Sequence, residues 1–511
     1  MNKQIFGNVL GGVNYSNFPA YGKMPQFFMA HSQNILPTEG GYATKRGGSS
    51  KLNSTVYGSL VTSFHELIKS GTSYKFAAQG TVIGKYDSGS LAFNNHITQL
   101  TSGAYGQWLN YGGYAIYVNG SDNAKKTDGA NGSDLTTDAN ALNGGSCIAE
   151  WGERVWVAVG ATLYGSALRD PTDYSDSTTA IGYWEGTVGD TGQVIKGLFS
   201  FFDLLIIGKL NQLYVLLGTP ETDSSTFRLQ PLYTKENDSV GFTSPTAITQ
   251  VGNELIFLDG FDIKRLSGVT QYGDIESISI IGNIKDFFKS SNGAGLDKDY
   301  LQNAHFRHYK HKEQIYCSVP TGASTRYWFV IDYSNRQLRE ELGLPPYSIF
   351  PMSGLTPISF GAVADGSKML MYAGCSDGFV RLLDTGTNDT STAIDAFGIW
   401  AFGDVEKQVN AASMILNIDY STACSLTVMH GWGFQDWVDI INTANYSTLS
   451  TEDLTDSTWD IKGKSAHKRF GYLGGKTDKS FLLKLRHNTA SQTFTMKNSL
   501  MNYRTRFKYL G

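Results

Sequence analysis

Three histidines in the segment AHFRHYKHK are the first residues to weigh as a metal site. Zinc requires three or four ligands that converge on one point. Along a β-strand, side chains three positions apart face opposite sides, so His308 points away from His305 and His311. The segment is therefore predicted to be a solvated, basic strand rather than a zinc site. With Arg307 and its two lysines, it is also a candidate for contacts with phosphates or a partner subunit.

The carboxylates and glycine-rich turns contain no complete catalytic or phosphate-binding motif. GTVIGK, from Gly80 to Lys85, is too short for a phosphate loop. SDNAKKTDG, with Asp122 and Asp128, lacks the spacing and bidentate glutamate of a calcium loop, which favours an ordinary turn. CSDGFVRLL, around Asp377, is only a fragment of a sialidase Asp-box. A carboxylate pair assembled from distant segments stays open, but the sequence predicts a protein that is not an enzyme and holds no cofactor or metal.

The four cysteines are far apart and form no CxxC pair. Buried free thiols are favoured over two disulfides, and reduced thiols agree with folding in a cytoplasm. The cysteines are Cys147, Cys317, Cys375 and Cys424.

Net charge and hydropathy limit the classes of partner. The formal net charge of −4 argues against binding of a nucleic-acid backbone as the main function, because such binding relies on clustered Lys and Arg. No signal peptide is recognisable at the start of the chain. The most apolar stretch, GLFSFFDLLIIG, is short and contains Asp203, so it predicts a buried pair of strands and no membrane insertion.

The elements that position these residues follow from a hairpin-like phrase that recurs along the chain. Each copy has a β-branched or aromatic run, a turn marked by Gly or Asp, and a second apolar run. The copies recur roughly every 40 to 60 residues, near the period of a four-stranded propeller blade. They begin at Tyr74, Tyr114, Arg154, Asp203, Glu254, Gln314 and Lys368.

A single such unit exposes two sheet faces and therefore needs neighbours. The sequence predicts an all-β fold with a β-propeller of about seven blades, with six to eight possible because either terminus can supply a closing strand. A β-solenoid or several sandwiches would also bury these faces, but the long, irregular period favours a ring. One short helix is predicted at Ile284 to Ser290.

Composition divides the chain into three parts. Residues 1–50 are predicted to form an extended N-terminal arm, with a short helix near Gln26 to His31. Residues 51–386 contain the propeller, with long polar insertions at 120–145 and 170–191. After the linker-like run GTNDTSTAID, alternating segments such as SMILNIDY and SFLLKLRH predict a C-terminal β-sandwich domain within residues 387–511.

One stretch before the repeats resembles a known family signature. MAHSQNILPTEGGYATKRGGSSKL is similar to a phrase that precedes a β-propeller in tail proteins of short-tailed bacteriophages. The family has a proline after the arginine, where this chain has Gly47. LYGSALRDPTDYSDST, SVGFTSPTAITQVGNELIFLDGFDIKRLSG and, before the closing strands, AHKRFGYLGG resemble further parts of these proteins. The matching residues of the first stretch are Asn34, Pro37, Gly40, Gly41, Lys45 and Arg46.

The resemblance implies a tail nozzle, also called tail tubular protein B or packaged-DNA stabilisation protein. Such proteins form a hexameric ring below the portal and adaptor, which retains packaged DNA and conducts it during ejection. The implied partners are further copies of the chain, the head-to-tail adaptor, tail fibre or tail-tip proteins, and double-stranded viral DNA that passes without sequence-specific contact. The implied location is the virion tail, assembled in the host cytoplasm, and the family has no catalytic residues to transfer.

The resemblance also makes the six matching residues candidates for partner or assembly contacts. Lys45 and Arg46 are expected either to pair with a partner's carboxylates or to lie in an exposed turn. Deleting residues 1–50 is expected to spare the folding of the propeller and to weaken assembly. A glycan-binding or glycan-cleaving propeller for host-surface recognition is the alternative function, and a general protein-interaction propeller is a third. Assembly of the protein into a ring would distinguish the nozzle function from both of these alternatives.

Overall fold

The computed structural model describes residues 2–15, 26–58, 60–137, 142–175, 178–179, 181–219, 223–232, 239–269, 274–282, 284–403, 407–420, 424–432, 437–453, 460–462, 465–470 and 480–507. Within them the chain is all-β, as the sequence predicted. The α-helices of the described part are short: α1 (Lys285–Lys289), α2 (Arg336–Glu341) and α3 (Trp437–Ile441). Helix α1 confirms the helix predicted at this point. None of the described helices has the length and apolar character needed to cross a membrane.

The N-terminal segment is built of short strands rather than a free arm. These are β1 (Asn2–Phe6), β2 (Gly12–Val13), β3 (Phe28–Met29), β4 (His31–Gln33), β5 (Ile35–Pro37), β6 (Ala43–Lys45) and β7 (Ser49–Lys51). The helix predicted near Gln26 to His31 is therefore wrong. Phe28, Met29 and Ala30 are buried against other strands, and this packing outweighs local helix propensity.

Six four-stranded antiparallel sheets follow, each a meander of consecutive strands. Sheets 1 to 3 contain β8 (Val61–Lys69), β9 (Thr72–Gln79), β10 (Val82–Asp87) and β11 (Ala92–Ile97); β12 (Gln107–Tyr111), β13 (Tyr114–Val118), β14 (Lys125–Thr127) and β15 (Gly132–Asp134); and β16 (Gly145–Trp151), β17 (Arg154–Val159), β18 (Thr162–Gly165) and β19 (Trp184–Thr187). Sheets 4 to 6 contain β20 (Gly197–Phe201), β21 (Leu204–Gly208), β22 (Leu213–Thr219) and β23 (Asp223–Leu232); β24 (Ile248–Val251), β25 (Glu254–Asp259), β26 (Asp262–Val269) and β27 (Asp274–Ser279); and β28 (His305–Tyr309), β29 (Gln314–Pro320), β30 (Arg326–Asp332) and β31 (Ser348–Met352).

Sheet 7 joins distant parts of the chain. Its first three strands are β32 (Pro357–Asp365), β33 (Lys368–Cys375) and β34 (Val380–Leu383), and its fourth is β7 from the N-terminal segment. Two further short strands, β35 (Asn388–Asp389) and β36 (Thr392–Ala393), extend the same sheet beyond β7. The run GTNDTSTAID is thus part of a sheet and not a free linker.

Each copy of the repeated phrase forms the second and third strands of one sheet. In sheet 3, β17 is buried on both faces, because Val155 and Val157 contact one neighbouring sheet while Trp156 and Ala158 contact the other. Its uninterrupted apolar sequence is what burial on both faces requires.

The seven sheets pack in sequence order, and the packing closes on itself. A separate hydrophobic cluster lies between each pair of consecutive sheets. A further cluster, with Val61 and Phe64 of sheet 1 and Val363 and Tyr372 of sheet 7, lies between the last sheet and the first. The first strands follow the same order: β8, β12, β16, β20, β24, β28 and β32 each contact the next, and β32 contacts β8.

The rest of the chain forms two larger sheets that share one core. The strands are β37 (Ala396–Gly403), β38 (Lys407–Tyr420), β39 (Ser425–Trp432), β40 (Ser447–Asp453), β41 (Asp460–Lys462), β42 (Ser465–Phe470), β43 (Ser480–His487), β44 (Phe494–Met496) and β45 (Ser499–Phe507). The five-stranded sheet has the order β4-β37-β43-β39-β40. The eight-stranded sheet contains β1, β45, β38, β44, β6 and β5 in this order, with β42 and β41 beside β38. Their common core continues into sheets 6 and 7 through Trp328 and Phe360.

Candidate assembly site

The family-like segment forms the hairpin of β5 and β6 at the edge of the eight-stranded sheet. Ile35 and Ala43 are fully buried in the common core. Gly41 has a φ of +78°, and a Cβ at this position would lie 2.6 Å from the Leu10 Cγ. Only glycine fits this close approach of two segments, which gives a physical reason for one glycine of the signature.

Arg46 is the centre of a buried polar network. Its guanidinium donates to both carboxylate oxygens of Asp389, at 3.0 and 2.5 Å, and Nε donates to the Asn34 side-chain oxygen at 2.8 Å. Nη2 also donates to the Ser353 carbonyl at 2.9 Å, and the guanidinium lies 5.3 Å from the centre of the Trp328 ring. This bidentate pairing depends on the planar guanidinium group, which arginine has and lysine lacks.

Asn34 connects this network to the sheets. Its φ is +57°, a left-handed conformation that asparagine tolerates better than most residues. The side-chain nitrogen donates to the Asp395 carbonyl at 2.8 Å and to the Ser353 hydroxyl at 3.0 Å, while the side-chain oxygen accepts from the Ser353 backbone N–H at 2.9 Å. The signature asparagine and arginine therefore fasten the N-terminal segment to both neighbouring parts of the chain.

Lys45 lies in a second buried environment. Its Nζ donates to the Gln492 carbonyl at 2.7 Å. Burial and the nearby Arg46 charge lower the pKa of Lys45 to about 8. The Lys45 charge in turn contributes to lowering the pKa of His487, which is fully buried.

The structure thus separates the six residues predicted as assembly contacts. Asn34, Lys45 and Arg46 are buried and bound within the chain, so the expectation of an exposed turn is wrong for Lys45 and Arg46. The carboxylate that pairs with Arg46 is Asp389 of the same chain. Pro37 is half-buried and Gly40 is exposed at the hairpin turn. Contact with a partner stays a prediction, and this turn is where the segment reaches the surface.

The hairpin borders a cleft of about 940 Å³. The other walls come from the β28–β29 and β32–β33 turns and from the residues that follow β30 and β34. The cleft therefore lies where sheets 6 and 7 meet the signature segment. Residues that line it include Pro37, Glu39, Lys310, Lys312, Glu313, Gln314, Asp332, Lys368 and Asp384.

The charges of the cleft are only partly paired within the described residues. Lys312 forms an ion pair with Asp384, and Asp332 accepts from Arg339 at 2.7 Å. The exposed Lys310 and Lys368 have no ion pair there. Their ammonium groups are therefore free to bind groups from outside the chain.

Gln314 adds an unsatisfied acceptor to the cleft wall. Its side-chain nitrogen donates to Asp332 at 3.1 Å, and its buried side-chain oxygen has no hydrogen-bond partner. The Asp332 carboxylate fixes this orientation of the amide, because the opposite orientation would place two acceptors together. This oxygen is an unsatisfied acceptor buried behind the cleft wall, whereas the ammonium groups of Lys310 and Lys368 face solvent.

The three histidines predicted to share a solvated strand have different environments. His305 Nδ1 accepts from the Phe360 backbone N–H at 3.4 Å, and burial lowers its pKa to about 3. His308 Nε2 is hydrogen-bonded to the Tyr333 hydroxyl at 2.5 Å. His311 lies in the turn at the cleft. Strand β28 is half-buried as the first strand of sheet 6, so the prediction of a solvated strand is wrong for His305 and His308.

Other candidate groups bind within the chain. Asp122 accepts from Thr101 and Asn119, and Asp128 accepts from two backbone N–H groups of its own turn. Within the described ranges no three His, Cys, Asp or Glu side chains are grouped to hold a metal ion. The four cysteines are buried free thiols, as predicted.

Sequence reasoning missed Asp389, Ser353 and Gln314. Asp389 lay in a polar run that composition marked as a linker, and Ser353 follows a strand with no motif of its own. The available signal was Arg46 itself: a buried arginine needs a carboxylate partner, and a polar run with Asp389 was the place to look for it.

Comparisons with known proteins add no family. No family model and no curated protein matches this chain. A designed protein, Ika8, has 12% identity and a TM-score of 0.38 over 65% of this chain and 99% of its own. A chain of the mitotic checkpoint complex has 11% identity and a TM-score of 0.39 over 67% of this chain and 95% of its own. The extracellular domain of a hybrid two-component system from B. thetaiotaomicron has 9% identity and a TM-score of 0.41 over 68% of this chain and 41% of its own. With TM-scores below 0.5, these likenesses carry no argument.

Proposed function

We propose that sheets 1 to 7 form a seven-bladed β-propeller and that the two larger sheets form a β-sandwich attached to it. The support is the closed order of packing, in which every sheet shares a hydrophobic cluster with the next and sheet 7 with sheet 1. In this arrangement β7 completes the last blade, as expected when one terminus closes the ring of a propeller.

On this basis the chain is a structural protein of a short-tailed bacteriophage tail. Six copies form a nozzle ring below the portal and adaptor, which retains the packaged DNA and conducts it during ejection. The net charge of −4 is mildly negative, so the protein should repel DNA phosphates and let DNA pass without binding. The chain acts without a cofactor, and its location is the virion tail.

The observation that carries the proposal is the position of the signature segment. Asn34 and Arg46 fasten the ring of sheets to the sandwich, so the chain has the rigid build that a wedge in a closed ring requires. The same segment borders an open cleft with Lys310 and Lys368 at its edge, and its turn at Pro37 to Gly40 reaches the surface. This cleft is the proposed contact with a neighbouring copy or the adaptor.

The first test is the mass and symmetry of the purified protein, alone and with the adaptor. Native mass spectrometry and negative-stain microscopy are expected to give six copies in a ring. A protein that stays monomeric in both conditions, and that binds or hydrolyses glycans, would instead support the alternative of a host-surface glycan protein.

A pair of matched variants tests the cleft. Lys310→Glu reverses a charge at the cleft, whereas Lys298→Glu reverses an exposed charge before the start of β28, the strand that ends beside Lys310. We expect Lys310→Glu to weaken assembly and Lys298→Glu to leave it unchanged, with both variants as stable as the parent protein. Equal assembly of the two variants would remove the cleft from the proposal.

A further inference from the structure

The first strands of the seven sheets enclose the centre of the ring, and polar residues lie at its middle depth. A four-stranded meander returns the chain to the end where it started, so all first strands run in the same direction. Arg307 is the middle residue of β28 and His65 the middle residue of β8. Between these two strands β32 carries small residues, Gly361 and Ala362, at the same depth. Arg307 and His65 therefore face a common space.

Arg307 has no countercharge within the described residues. Its side chain is exposed to solvent, yet the surrounding protein lowers the pKa of its guanidinium by desolvation. Both properties are expected of a charged group in a narrow, water-filled space. The side chain has neither an ion pair nor a hydrogen bond with any described group, whereas a buried arginine elsewhere in the chain, Arg46, is fully paired.

The neighbours of Arg307 leave its charge uncompensated. The pKa of His65 is lowered to about 4, first by burial and also by the Arg307 charge, so this histidine is neutral at pH 7. His65 is stacked on Trp108 and hydrogen-bonded to Asn110 at 2.7 Å. Glu66, on the same strand, is engaged by the Ala364 backbone N–H at 3.0 Å and by Ser73.

Two further carboxylates lie on first strands, and neither is at the middle depth of Arg307; Asp365 is the last residue of β32. Glu150 lies near the far end of β16, two positions before the turn into β17. An opposite charge close to Arg307 would raise its pKa, but desolvation is the effect that acts on it.

One mouth of the central space is crossed by a contact between opposite sheets. Tyr105, in the loop before β12 of sheet 2, accepts a hydrogen bond from Arg326 of sheet 6 at 2.7 Å. The Arg326 guanidinium also lies 5.3 Å from the centre of the Tyr105 ring. Because sheets 2 and 6 are separated by two or more sheets in either direction around the ring, this contact spans the opening. This contact partly covers one end of the central space, so a ligand is expected to enter the recess from the other end.

We propose that this recess is a binding site for a small oxyanion, with inorganic phosphate as the reference ligand and the Arg307 guanidinium as its main contact. A guanidinium presents paired N–H donors that match phosphate and carboxylate oxygens. The amide nitrogen of Asn110 donates to the Glu66 carbonyl at 2.9 Å and keeps a second N–H for the same ligand. The proposal rests on the proposed propeller of a single chain and does not depend on the assembly of six copies into a nozzle.

The test is calorimetric titration of the full-length protein with phosphate, in a phosphate-free buffer at constant ionic strength. We expect one saturable site, and a melting temperature that rises with phosphate concentration by mass action. Arg307→Gln should weaken binding at least about tenfold, since it removes the charged donors. Arg307→Lys should bind with intermediate affinity, because it keeps the charge and loses the paired geometry.

The matched control is Arg228→Gln, which removes an exposed guanidinium from the outer strand β23 and should bind phosphate like the parent protein.

In phosphate-free buffer the melting temperature of Arg307→Gln should be no lower than that of the parent protein, because the substitution removes an unpaired charge. A lower melting temperature would indicate a structural role and overturn the proposal. Absence of saturable binding to the parent, or equal binding to Arg307→Gln, would also overturn it. Succinate serves as the carboxylate probe. If the parent protein gives a binding heat with succinate and Arg307→Gln does not, the site also accepts carboxylates. If the parent protein gives no binding heat with succinate, the site is restricted to phosphate.

Discussion

Arg46 shows how one residue of a family-like signature can act through the fold. Its guanidinium is buried with Asp389, Asn34 and Ser353, and all its charge-assisted hydrogen bonds are within the chain. A buried ion pair adds little net stability compared with an apolar pair, but removing one partner leaves an uncompensated charge. The residue is therefore expected to be sensitive to substitution through its role in the fold alone.

Arg46→Ala is expected to reduce the free energy of unfolding by about 3–5 kcal/mol, because it leaves the Asp389 carboxylate buried without a cation. Urea unfolding followed by tryptophan fluorescence measures the change. The control is Arg169→Ala, which breaks an exposed ion pair with Glu153 and should leave the free energy of unfolding nearly unchanged. Similar losses in the two variants would contradict the assignment of Arg46 as a structural anchor.

Stability is expected to fall in mild acid because several histidines are held neutral. Burial lowers the pKa of His31 and His305 to about 3 and of His65 and His487 to about 4. The unfolded chain binds these protons near pH 6.5, so stability is complete above that pH and is lost as the pH falls towards 4. Unfolding free energies measured at pH 7.5 and pH 5 should differ by about 2 kcal/mol for each such histidine.

His487→Phe isolates one of these groups. His487 is fully buried near Phe494, with the Lys45 charge lowering its pKa and the Asp395 charge raising it. Phenylalanine cannot titrate, so the variant should lose less stability between pH 7.5 and pH 5 than the parent protein. An unchanged pH dependence would show that other groups carry the effect.

At the scale of elements, the sequence predicted the strands well and their long-range partners poorly. The repeated phrase located the second and third strands of all seven sheets, because alternation and turn residues are local signals. The pairing of β7 with β34, and of β1 with β45, depends on residues hundreds of positions apart and leaves no local trace. The segment 1–50 was therefore predicted to be an extended arm, although its described strands belong to four sheets, one of which is the two-stranded sheet of β2 and β3.

The candidate site was predictable to a similar extent. The resemblance selected Asn34, Lys45 and Arg46 as a group, and the structure brings them together. The cleft beside them was not predictable, since its walls come from turns of two sheets that become neighbours only in the folded chain. Arg307 had been noted as part of a basic strand, but its position at the centre follows from topology alone.

Strand β7 gives a prediction at this scale. Ser50→Pro removes a backbone donor from a strand that lies between β34 and β35, and proline is tolerated poorly within a sheet. We expect a fall of several degrees in melting temperature by calorimetry. Ser50→Thr keeps the donor and favours extended backbone, so it should match the parent protein; a similar fall in this control would point to the side chain instead.

For the whole molecule, the described contacts make one continuous body. The common core includes residues of sheets 6 and 7 and of both larger sheets, and the N-terminal strands pair with three different sheets. Sheets 1 to 7 and the two larger sheets are therefore expected to unfold together, in contrast to domains joined by a linker.

Differential scanning calorimetry tests this expectation. The parent protein should show a single transition with equal calorimetric and van't Hoff enthalpies. Arg46→Ala loosens the joint between the parts and should broaden or split the transition. Two well-separated transitions in the parent protein would instead mean that the ring and the larger sheets are stable independently.

The position of β7 in the sequence also determines when sheet 7 can form during translation. β7 leaves the ribosome before any other strand of sheet 7, and its partner β34 follows only after sheets 1 to 6 have been made. At typical rates of translation this delay is on the order of tens of seconds. During that time the edge of β7 and the open flank of sheet 1 have no partner within the chain. A nascent chain of this design depends on protection from wrong pairing until sheet 7 is complete. Slow elongation or scarce chaperones should therefore lower its yield more than that of a protein whose strands pair with their immediate neighbours.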